Sequence, residues 1–183
     1  MTWLYPAGSV GNLIASDHVA EPTRAALQKR MASEPTGPRF FDSAEFDLLR
    51  AVCARLIVDV PQVDIAGAID ARLADGTGDG WRYDVLPSDD AAYRQGLRTI
   101  EATAKLLGGA PYVALALDVQ DAVLVSVQKS SRRWFEELLA EATETAYAHP
   151  AVQDAIGYAG FADLPGWAAI GLDERDAQEP VDE

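Results

Sequence analysis

The sequence predicts an all-α fold, an irregular helical bundle with an amino-terminal arm and a coil-rich, aromatic carboxy-terminal extension. Apolar residues return at helical spacing in several separate segments, the mark of one buried face per helix. Glycine and proline breaks divide those segments. Strand signals are weak, and no internal repeat or low-complexity block is present.

Residues 1–39 read as the arm. Pro6, Gly8 and Gly11 lie in an irregular start, and a short helix runs from Glu21 to Ala32 with Pro22 in its first turn, where proline is tolerated. Glu34-Pro35-Thr36-Gly37-Pro38 then breaks the chain. The helical domain covers 40–172. Its first helix is capped by Asp42 or Ser43 and carries Phe46, Leu49, Val52, Cys53, Leu56 and Ile57 on one face. A shorter helix from Asp64 to Ala74 shows Ile65, Ala68, Ile69 and Leu73 and ends at Gly76. After a long loop, a cap at Ser88, Asp89 or Asp90 opens a helix striped by Tyr93, Leu97, Ile100, Ala104 and Leu107. Gly108-Gly109 ends it. The segment from Pro111 to Ser130 is apolar on more than one side and reads as a central helix. The last helix runs from Arg132 to Tyr147 and is stopped by His149-Pro150, with aromatic-rich coil beyond it. Residues 173–183 form an acidic tail, read as disordered.

Composition narrows the function classes. The chain of 183 residues is one domain of ordinary size, able to bury about 70% of its unfolded surface without disulfide or metal. Its formal charge of −14 excludes a phosphate-facing nucleic-acid surface. No run approaches the roughly 20 apolar residues of a membrane span. Met1–Val10 has neither a basic region nor a following apolar core, so the chain as written reads as cytoplasmic, with export alongside a partner left open for a trimmed amino terminus.

Catalytic and metal chemistry is sought and not found. Glu136, Glu137, Glu141 and Glu144 crowd one helix, but a di-iron bundle also needs Glu-x-x-His, and neither His18 nor His149 lies three residues after a Glu. That row reads as a solvated face. Cys53 sits on an apolar face and reads as a small buried hydrophobe. His149, at a helix end before Pro150, reads as a capping residue. The glycines at 76, 78 and 80 follow a helix, so they build no dinucleotide loop, and Asp75–Asp79 lacks calcium-hand spacing. No residue is assigned as catalytic, cofactor-binding or metal-binding. What remains is a set of loop-borne rings suited to a protein interface: Trp81 and Tyr83, then Tyr158, Phe161 and Trp167, with Trp3 and Tyr5 in the arm.

The order and spacing of several positions resemble the gluconate 2-dehydrogenase subunit 3 family, over roughly Phe40 to Leu172. They are Phe40-Phe41 with Glu45, Asp64-Ile65 with Ile69-Asp70 and Leu73, and Tyr93 with Gly96-Leu97. Further on come Gln120, Trp134-Phe135, Thr143, His149-Pro150, the Gly157-to-Gly160 turn, and Trp167 with Ile170-Gly171. The resemblance implies a small, non-catalytic subunit that binds and stabilises a glucose–methanol–choline type dehydrogenase of sugars or polyols. FAD is then expected in that large partner and no cofactor in this chain. A cytochrome or other electron acceptor is reached through the partner. Two alternatives stand beside it. One is a stand-alone enzyme using Asp64 with Asp70, or the Glu136–Glu144 row, as acid and base. The other is a chaperone that escorts a flavoprotein during maturation.

Overall fold

The computed structural model describes residues 8–32, 37–60, 63–78, 83–158 and 160, and among these every regular element is helical. Two compact units are present, one of Met1–Ser33 with Ala148–Glu183 and one of Glu34–Tyr147. The boundary at Tyr147 falls inside the 40–172 span of the sequence division.

In the larger unit, α3 (Ser43–Leu56) begins with a reciprocal cap, Asp42 accepting from the Glu45 N–H while Glu45 accepts from the Asp42 N–H. α4 (Ile65–Asp75) is capped by Asp64, and Gly76 ends it with φ 60°. α5 (Asp89–Gly108) ends the same way at Gly109, φ 70°. A 3-10 turn (Tyr112–Ala114) leads into α6 (Leu117–Ser130), and α7 (Arg132–Tyr147) follows. The core gathers Leu49 and Val52 of α3, Ile69 of α4, Leu97 and Ile100 of α5, Val123 and Val127 of α6, and Leu138 of α7.

The expected central helix is corrected in two respects. Residues 112–114 form the tight turn, so α6 starts only at Leu117, and it buries a single stripe of Gln120, Val123, Leu124 and Val127 while Leu117 and Val125 stay exposed. The hub is α7, which packs against α3, α4, α5 and α6. Its closest approach to α5 is made possible by Gly96, where any side chain would overlap the buried indole of Trp134.

The smaller unit holds α1 (Ser9–Ala15), α2 (Glu21–Met31) and α8 (Pro150–Ile156) around Val10, Ile14 and Leu27. α1 replaces part of the expected irregular start, and α8 replaces the first part of the expected coil. Both helices are too short to persist alone and exist through tertiary ties. Asp154 accepts from the Gly8 and Val10 N–H groups, covering the start of α1. Arg24 donates to the carbonyls of Ile14, Ser16 and Val19 and so closes the α1–α2 turn. No described helix is long and apolar enough to cross a membrane.

Candidate functional site

The carboxylates named as acid and base have structural work. Asp64 accepts from the Gly67 N–H at 3.1 Å and caps α4. Asp70 is fully buried and accepts from three successive backbone N–H groups, Arg39 at 2.6 Å and Phe40 and Phe41 at 3.0 Å each. It pins the entry to α3 onto α4. The two acids therefore do not converge on a common cleft chemistry.

The Glu136–Glu144 row divides, which corrects its reading as one solvated face. Glu136 pairs with Arg132 and Arg133 on the outside. Those cations hold its carboxyl below the usual range, the Arg132 hydrogen bond contributing most. Glu141 points inward instead. It accepts two bonds from the Arg72 fork and one from the Tyr93 hydroxyl, while Arg72 reaches Asp89 at 2.7 Å. Burial works against the Arg72 charge, and the Glu141 and Asp89 contacts more than offset it, so its pKa is raised. Burial, then the Glu141 charge, raises the Tyr93 hydroxyl well above its ordinary value. An arginine locked between two carboxylates, and a phenol kept protonated, make a structural tie between α4, α5 and α7 rather than an acid–base pair.

Cys53 is buried, and its thiol is pushed up to about 12, chiefly by burial and then by the charges of Glu141 and Asp64. It is no nucleophile. Among the described residues no group of His, Cys, Asp and Glu could hold a metal ion. His149 does cap, but the helix that follows it rather than the one it stops: its Nδ1 accepts from the Ala151 N–H and opens α8. Burial lowers its pKa.

Of the rings proposed for a partner surface, Trp3, Tyr5, Trp81, Phe161 and Trp167 lie outside the described residues. Tyr83 is half-buried, with the Arg133 guanidinium 4.4 Å from its ring centre. Tyr158 follows the left-handed Gly157 that ends α8, and it is 49% exposed.

The larger unit shows another surface. From Leu106 to Leu117 no residue is charged. This stretch turns the corner from α5 to α6 and leaves Leu106 (83%), Leu107 (51%), Val113 (51%) and Leu117 (60%) exposed. The corner is built, not loose. Tyr112 is fully buried as its anchor, and its N–H donates to Glu101. Gln120 donates to the Tyr112 and Leu115 carbonyls, at 3.1 and 3.2 Å, folding the tight turn back on α6. Gly108 lets Leu115 lie where a side chain would collide with it. Four large apolar side chains held outward by a rigid turn can exclude water against another protein. The charge-free run is the signal of this corner in the sequence.

Compared with known proteins, residues 43–166 match the model of the family described as gluconate 2-dehydrogenase subunit 3. No curated protein and no solved structure matches the chain. The helical fold and a match over most of its length agree: this chain belongs to the gluconate 2-dehydrogenase subunit 3 family.

Proposed function

We propose that this chain is an accessory subunit that binds and stabilises an FAD-dependent dehydrogenase of sugars or polyols, and that the large flavoprotein partner performs the hydride abstraction. The family supports the subunit role. The observation that carries the reading is the apolar corner between α5 and α6, where Leu106, Leu107, Val113 and Leu117 each leave half or more of their surface exposed. The engagement of Asp64, Asp70 and Glu141 in caps and ion pairs supports leaving redox chemistry to the partner. Interfaces between permanent partners are apolar at their centre, and a charge placed there is costly.

The test is co-expression with an FAD-dependent dehydrogenase of the glucose–methanol–choline type from the native host. Leu107→Glu with Leu117→Glu should leave the helical signal and melting of the isolated chain nearly unchanged. It should weaken co-purification by more than about tenfold and lower the FAD content of the partner. Normal association of the double variant would rule out the corner. A flavoprotein equally soluble and FAD-loaded without this chain would rule out the subunit role.

A further inference from the structure

In the unit formed by α1, α2 and α8, the last helix is capped by an imidazole. α8 has seven residues, too few to be helical without its cap and its neighbours. His149 supplies the cap from an extended backbone (φ −83°, ψ 128°), with Pro150 at the first helical position. Its Nδ1 accepts from the Ala151 N–H at 3.2 Å. Because Nδ1 is an acceptor, the ring is neutral and carries its proton on Nε2. α8 also packs against α1 and α2. From α8 the connection continues through Asp154, which accepts from Gly8 and Val10 at the start of α1.

We propose that His149 is a proton-operated latch of α8: the neutral ring caps the helix, and protonation removes the cap and releases α8 together with the start of α1. A second ring proton would sit on Nδ1, donor against the Ala151 donor. It would also place a cation at the positive end of α8. The charged groups around it do not rescue that cation. α2 presents Arg30, which repels it; α8 presents Asp154, already bonded to α1; α1 carries no titratable side chain. Burial, the largest cause, and the Arg30 charge lower the affinity of the ring for protons, against the opposing pull of the Arg30 backbone. The sign follows. A histidine whose folded pKa is depressed contributes stability that is full above about pH 6.5 and lost as pH falls through the folded value. Asp154, lowered by its Gly8 and Val10 bonds, stays ionised through this window, so its tie to α1 is not what titrates.

Amide hydrogen exchange on the full chain tests the latch, with rates corrected for intrinsic chemistry and ring NMR for the tautomer. At pH 7.5 the ring should be the Nε2–H tautomer. At pH 5 the amides of Val152 to Ile156 should exchange roughly fivefold faster or more, the factor expected for losing a helix cap, with α3–α7 unchanged. His149→Asn keeps a capping oxygen that does not titrate, and should remove the pH difference; His18→Asn should leave it intact. Equal α8 protection at both pH values, a persistent difference in His149→Asn, or a His149 ring that titrates at or above about pH 6.5 would each overturn the proposal.

Discussion

Asp70 shows how a single side chain can outweigh its local propensity. A buried carboxylate is costly unless several donors meet it, and here three consecutive N–H groups do. Asp70→Ala would strand those donors and open a small cavity. It should lower the unfolding free energy by about 3 kcal/mol, read as a fall in the urea midpoint at constant slope. Asp70→Asn keeps one acceptor oxygen but turns an amide toward a donor, so it should lose about half as much. The position was legible in part, since an acid on the same helical face as Ile65, Ala66 and Ile69 breaks an apolar stripe. Gln120 interrupts the α6 stripe in the same way. Which donors they meet was not legible, because Asp70 and Phe41 become neighbours only when α4 packs beside the entry to α3. Glu141 teaches the converse. Its spacing matches that of the other acids on α7, and only the approach of Arg72 and Tyr93 distinguishes it.

At the scale of elements, the α5–α7 crossing rests on Gly96 against Trp134, with Tyr93 meeting the same indole edge-on at 6.2 Å between centres. Two effects compete in Gly96→Ala. Helix propensity favours alanine by about 1 kcal/mol, while overpacking a dense core costs roughly 1–3 kcal/mol. The overlap is with a rigid ring on a buried helix, so the clash should win and thermal melting should fall by several degrees. Trp134→Leu in the same chain removes the obstacle, and the Gly96→Ala penalty should then vanish or reverse in a double-mutant cycle. The helices from α2 to α5, and α7, match their predicted extents closely, and the Asp42 cap of α3 and the glycine ends of α4 and α5 fall where the sequence places them, while Ser88 opens α5 without a side-chain cap bond. α1 and α8 were not legible. Helices of seven residues have too few turns for periodicity, and their caps come from residues more than a hundred positions away or from a histidine, an unusual cap.

For the whole molecule, the charge of −14 is the largest global term, and the close ion pairs are arginine-based and short-ranged. Salt screens distant repulsion more than contact pairs. The melting temperature at pH 7.5 should therefore rise by a few degrees between about 20 and 200 mM NaCl. A flat or falling series would mean that the pairs outweigh the net charge. The carboxyls of Asp75, Asp121 and Glu136 are held low by arginine hydrogen bonds, so the stability they contribute is present above about pH 4 and lost as pH falls below it. Periodicity and the glycine and proline breaks determined the helical class, and the order of particular residues carried the resemblance to the family, because these depend on which residue types occur and at what spacing. Tertiary structure alone decided which acids are buried ties, where the apolar corner stands exposed, and which helix Nδ1 of His149 caps. Each of those depends on what a distant segment brings within a few ångströms, and spacing along one chain carries no record of that.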